Sequence, residues 1–224
     1  MIVAKDGAPK PRDPDATRKR ILAAAKVEFA RKGLGGARVD DIATRAKANK
    51  RMMYHYFGNK EELFRLTLED AYAGIREAEA KLALEKDDPV TAMTRLVRFT
   101  WGYYLGNPEF ITLVNSENLH KARHLRGSER IREMSRPFVA RMKTLLERGA
   151  AEGQFRADLD PVQMNITIAA IGYYYLTNRF TGSIVFERDL MSEQALAERL
   201  DFNIKTILRL ICTPEALAKL ETRA

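Results

Sequence analysis

Four times in 224 residues an Asp or Asn stands directly before a proline: Asp13-Pro14, Asp88-Pro89, Asn107-Pro108 and Asp160-Pro161. The Asx oxygen can accept from the N–H groups that a first helical turn leaves without partners. A proline at the first helical position gives up only a donor that the helix does not use. Each pair therefore reads as the start of a helix. The segments between them repeat their apolar residues at spacings of three and four, and no useful length alternates with period two. A chain punctuated in this way packs helix on helix, so the fold class is all-α.

The N-terminal helices are short and sharply bounded. Residues 14–32 form a helix with Ile21, Leu22, Ala25 and Phe29 on one face, and Gly33 stops it. After the turn GLGG, a second helix over 39–46 turns Val39, Ile42, Ala43 and Ala46 inward and holds Asp40 and Asp41 at its positive end. Asn49 caps a third helix over 50–57, Gly58 ends it, and Asn59 caps a fourth that runs from 60 to 84. Helices over 89–105, from GNPEF onward, over 128–152, 160–180 and 193–212 follow, and Pro214 ends the last. In 160–180 the apolar residues cover nearly the whole circumference, which predicts a helix buried on most sides.

Charge divides the chain in two. Residues 1–65 hold sixteen Lys and Arg against eight Asp and Glu, which is the entire net charge of +8. The remaining residues balance 22 against 22. Such asymmetry favours a basic module that meets a polyanion, joined to a neutral module with another task. Residues 1–12 read as a basic, disordered arm. Cys212 is the only cysteine, which excludes an internal disulfide and fits the cytosol. No apolar run is long enough to span a bilayer, and no secretory leader is apparent, so the expected location is cytoplasmic.

Helices 39–46 and 50–57, joined by about three residues, have the form of a helix-turn-helix, whose second helix enters the DNA major groove. Met53, Tyr56 and Phe57 can anchor its inner face. Lys50, Arg51, Met52, Tyr54 and His55 are left for the outer face and ends. Lys and Arg can pair with phosphates or guanine edges, Tyr54 and His55 can donate to phosphate, and Met52 can touch a thymine methyl. Lys60 opens the fourth helix, whose N-terminal amides also attract phosphate.

The block Thr17–Phe64 resembles the DNA-binding domain of the TetR family of transcriptional regulators, through ILAAA…FA…G, VDDIA and YHYFGNKEEL in the right order and spacing. The resemblance implies a homodimeric DNA-binding regulator with an N-terminal three-helix domain, here 13–60, and a C-terminal ligand-binding and dimerisation bundle, here 61–224. It makes Lys50, Tyr54, His55 and Lys60 DNA contacts, and places Arg38 where a Thr or Ser often caps the second helix. The family usually has Gly then Val in the turn, whereas this chain has Lys47 and Ala48 before Asn49. A positive φ at Lys47 would cost on the order of 1 kcal/mol and would set another cation beside the DNA. Arg51 and Met52 replace small residues and are the expected source of operator preference.

The neutral bundle can hold a small-molecule effector. Trp101, Tyr104, Phe110, Tyr173, Tyr174 and Phe180 are candidate lining, with Asn115, His120 and Asn178 as polar contacts. Core or interface duty is the alternative for each. In HKARH, His120 and His124 would face the same way on a helix, but no third metal ligand is evident, so a solvated basic face is expected and no metal or cofactor. Nucleotide-binding, zinc-protease and serine-hydrolase motifs are missing, so no enzyme is expected. Helices 160–180 and 193–212 are too apolar for a lone surface and are expected to pair with their copies in a homodimer. A constitutive DNA binder, an activator, a helical enzyme and a scaffold remain alternatives to a ligand-released repressor.

Overall fold

The computed structural model describes residues 13–222; the arm expected over 1–12 lies outside the described residues. Eleven α-helices follow one another among them: α1 (Pro14–Gly36), α2 (Val39–Arg45), α3 (Lys50–Phe57), α4 (Lys60–Ala80), α5 (Pro89–Gly106), α6 (Pro108–Leu119), α7 (Glu129–Ala151), α8 (Pro161–Thr177), α9 (Arg179–Val185), α10 (Glu193–Ile211) and α11 (Pro214–Glu221). No strand forms among the described residues; Phe155 and Cys212 make one isolated antiparallel bridge.

The helix starts follow the Asx-Pro punctuation. Asp13 accepts from the backbone of Asp15, Asp88 from Thr91 and Asp160 from Gln163. Asn107 precedes α6 without a side-chain cap bond. Gly33 breaks α1 at φ 66°, where a residue with a side chain would be strained. Three boundaries differ from expectation. α4 stops at Ala80, and Ala83 turns left-handed (φ 49°) into a 3-10 turn, Leu84–Lys86. The helix expected over 160–180 ends at Thr177, and Asn178 redirects the chain into α9. Pro214 does follow the end of α10, but it also opens α11, capped by Thr213.

α1 packs on α2, α4 and α6, and α4 continues from this head into the body, where it meets α5 and α7. Phe29 and Phe64, both fully buried, meet edge to face at 5.1 Å in the centre of the head. Midway along α4, the buried Glu69 accepts from Arg65 and from Ser128, the N-cap of α7. That bond ties the connecting helix to the body. α5, α7, α8 and α10 enclose a second core around Met93, Ile207 and Ile211.

α8 is not buried on most sides within this chain. Ile166 is 55% and Tyr174 64% exposed, and Phe202 on α10 is 58% exposed. The apolar circumference of α8 divides into an inner face, Met164, Ile168 and Leu176, and an outer face that this chain leaves bare.

Candidate nucleic-acid interface and central cavity

The turn between α2 and α3 is built by three backbone bonds. Ala46 N–H donates to the Ile42 carbonyl, Lys47 to Thr44 and Ala48 to Ala43. The last two are the pair of a Schellman motif, which sets residue 47 left-handed. Lys47 has φ 50°, so the turn, which the sequence left open at this position, takes the left-handed form without the family's glycine. Its side chain is exposed beside α3.

Asn49 then caps α3, its side-chain Oδ1 accepting from Met52 N at 2.8 Å. That oxygen is thereby committed to the helix rather than to a base. Met53 and Phe57 are buried and Tyr56 is half-buried against the head core. Arg51, Tyr54 and His55, at i, i+3 and i+4, share the outward face, with Met52 half-buried at its edge. Lys50 Nζ lies 3.0 Å from Asp40 on α2, and this carboxylate holds the lysine pKa above its ordinary value. Lys32 bridges Glu28 and Asp41 at 2.6 and 2.7 Å, which fixes α2 on α1. Arg38 is exposed before α2 and makes no side-chain cap bond. Lys60 is half-buried, its Nζ donating to the Ala37 carbonyl at 3.3 Å, so it joins the first turn of α4 to the α1–α2 link. Eight of the nine expected DNA-contact positions thus lie on α3 or next to it in the chain, between Lys47 and Lys60, and Arg38 stands apart at the start of α2.

The expected effector residues do not form one site. Trp101, Tyr104 and Phe110 are buried in the core. Tyr173 donates its hydroxyl to Asn115 at 2.6 Å, linking α8 to α6, and its own pKa is pushed up to about 12 by burial. Tyr174 and Phe180 are exposed, and Asn178 donates back to the Tyr174 carbonyl. His120 is exposed, its Nδ1 on the Ser116 carbonyl.

His124 corrects the solvated-face expectation. HKARH is a turn, with Lys121 and Ala122 both at φ 56°. It folds His124 back onto buried Glu117, with Nδ1 to carboxylate at 2.7 Å and the ring 5.2 Å from Phe64. No group of three potential metal ligands converges among the described residues.

A different set of residues meets at the centre of the body. A cavity of about 70 Å³ lies between α4, α5, α7 and α8. Tyr104 is the one expected residue on its wall; Arg76, Glu79, Phe138 and Asn165 are the polar and aromatic neighbours that sequence reasoning missed. Arg76 donates to Glu79 at 2.7 Å and lies over the Phe138 ring at 3.6 Å. Burial lowers the Arg76 pKa and raises that of Glu79, and it pushes Tyr104 up to about 12, so its hydroxyl stays protonated. An Asn within the apolar run of α8 was the available signal for Asn165. Arg76 and Glu79 look like an ordinary i, i+3 surface pair.

The comparisons agree with this architecture. Residues 21–67 match "Bacterial regulatory proteins, tetR family" and residues 89–207 match "Tetracyclin repressor-like, C-terminal domain". The chain is 43% identical over 195 residues to the HTH-type transcriptional repressor NicS of Pseudomonas putida, covering 87% of this chain and 92% of that protein. It is 40% identical over 108 residues to the repressor SCO4008 of Streptomyces coelicolor, covering 48% and 53%. Among solved structures, the regulator SCO4942 from Streptomyces coelicolor shares the fold with TM-score 0.66 at 24% identity, over 87% of this chain and 98% of that one. The fatty acid degradation regulator FadR from Bacillus halodurans does so with TM-score 0.67 at 20% identity, over 89% and 97%. The chain is a DNA-binding transcriptional regulator rather than an enzyme, and it belongs to the TetR family.

Proposed function

We propose that this protein is a homodimeric repressor that reads a pseudo-palindromic operator and is released from it by a small molecule. The observation that carries the reading is the outer face of α3, where Arg51, Tyr54 and His55 stand exposed between Lys47, Lys50 and Lys60. Residues 13–60 act as the DNA-binding domain and 61–224 as the ligand-binding and dimerisation domain, with 1–12 as a basic arm. Lys47, Lys50, Tyr54, His55, Lys60 and Arg38 hold phosphates, while Arg51 and Met52 choose bases. Asn49 contributes by positioning α3. A protein that acts on chromosomal DNA works in the cytoplasm; no described helix is long and apolar enough to cross a membrane.

The exposed apolar residues of α8 and α10 support dimerisation, since a second copy would cover them. The repressor reading draws on the name of NicS. The central cavity is the effector site. α4 carries Arg76 and Glu79 in its wall and Lys60 at the head, so a ligand there alters the tilt of α4 and the spacing of the two heads. The ligand acts only by favouring one spacing over the other.

Selection from random duplexes tests the reading. It should return an inverted repeat whose half-sites lie one DNA turn or a small multiple apart, roughly 34–36 Å per turn. A motif without the repeat would refute the dimeric operator. Arg51→Ala should relax preference at one position of each half-site. Lys60→Ala should weaken binding to all sequences and flatten the salt slope by about one; an unchanged slope removes Lys60 from the phosphate contacts.

A further inference from the structure

The central cavity offers more hydrogen-bonding capacity than this chain uses. Asn165 is 9% exposed and lines it, and neither its Oδ1 nor its Nδ2 has a hydrogen-bond partner among the described residues. A buried amide left unpaired costs about 1–3 kcal/mol, and its two ends present one acceptor and a pair of donors side by side. Arg76 shows the same surplus, because its Nε has no partner either. Charge is also out of balance. Arg141 on α7, which borders the neighbouring groove, adds a second positive charge that acts on both Arg76 and Glu79. Poorly solvated, uncompensated positive charge favours an anion. The remaining wall is apolar, with Ile75, Leu96, Phe99 and Ile168.

We propose that the ligand of this cavity is a small organic carboxylate with an apolar body, its carboxylate paired with Arg76 and bonded at its edge by Asn165. The inference rests on the reading of the cavity as the effector site. Arg presents parallel N–H groups that match a carboxylate, and the Phe138 ring already packs against that guanidinium. At about 70 Å³ the space suits only about two water molecules, so binding enlarges it. A groove of about 340 Å³ runs outside, along Pro137, Ala140, Arg141 and Arg148. Pro137 borders the groove and its chain neighbour Phe138 borders the cavity. Pro137 also removes one N–H from the α7 ladder, which makes this turn the easiest to displace. Moving Phe138 joins the two spaces and brings Arg141 to the entrance.

The test titrates the full chain with benzoate and phenylacetate, and with benzamide and phenylacetamide, at matched ionic strength, by calorimetry and thermal shift. The acids should bind at least about tenfold more tightly than their amides. Glu79→Gln, which removes the competing carboxylate, should tighten the acids severalfold and leave the amides unchanged. The double variant Arg76→Gln/Glu79→Gln removes the guanidinium that pairs with the ligand together with its own partner and should cut the preference for acids severalfold, leaving only what Arg141 supplies. Amides that bind as well as acids overturn the carboxylate class and keep the effector site. Unchanged acid affinity in Glu79→Gln overturns the charge argument. No binding of either class up to about 1 mM overturns class and site together.

Discussion

The head and the body of this regulator bury different things. Around Phe29 and Phe64, α1–α4 enclose mainly apolar side chains, and buried Glu28 is paired at once with Lys32 at 2.6 Å. In the body, Arg76, Asn165, Arg199 and Asn203 keep side-chain atoms that reach no partner among the described residues. The outer surfaces differ in the same direction. Among the described residues, ten of the thirteen large exposed apolar side chains lie between Val162 and Leu210. The head is complete within one chain. The body leaves bonds unmade inside and apolar area uncovered outside, which supports the proposal that a ligand and a second subunit finish it.

Substitutions can break or sharpen that contrast. The largest effect should come from Ile166→Glu, which puts a charge on the bare face of α8. Sedimentation should show monomers, and operator affinity should fall by about 100-fold or more as one half-site is lost from the pair. A dimer that persists would move the interface elsewhere. Phe29→Ala should cost about 3–5 kcal/mol in denaturant unfolding, the usual loss for an aromatic in a complete core; a cost below about 1 kcal/mol would show a head less tightly packed than described. Asn165→Leu should do the reverse in the body. By removing an unpartnered amide it should raise stability by about 1–2 kcal/mol while abolishing the response to effector; a loss of stability would mean that the amide is satisfied within the chain. Lys47→Gly should be the smallest, relieving the left-handed strain for a gain of about 1 kcal/mol or less while weakening DNA binding by one phosphate contact.

The contrast also explains what the sequence revealed. In the head, local signals decide local structure. Asn49, Gly58 and Asn59 bound α3 by capping and by a positive φ at Gly58, so the helix and its outer face could be read directly. The odd residue at 47 was visible because the turn chemistry demands a specific conformation there. In the body, burial depends on partners far along the chain. Arg76 becomes an interior residue only because α7 lays Phe138 over it. Trp101, Tyr104 and Phe110 are equally aromatic in the sequence, and only the helix packing sets Tyr104 on the cavity wall and the other two away from it. Asn178 carries no breaker such as Pro or Gly, so the corner between α8 and α9 had no local mark. His124 was misjudged because two left-handed residues, Lys121 and Ala122, turned an apparent helix back on itself.

The bond from Glu69 to Ser128 makes α4 a beam with a pivot. Arg76 stands seven residues beyond Glu69 and Lys60 nine residues before it, which are arms of about 10 and 14 Å at the helical rise. A displacement of about 1 Å at the cavity would emerge as about 1.3 Å at the head, in the opposite sense. Two such beams related by a twofold would shift the spacing of the heads by about 2.6 Å, roughly three quarters of one base-pair step of about 3.4 Å. The gain of this device is set by the position of one buried carboxylate.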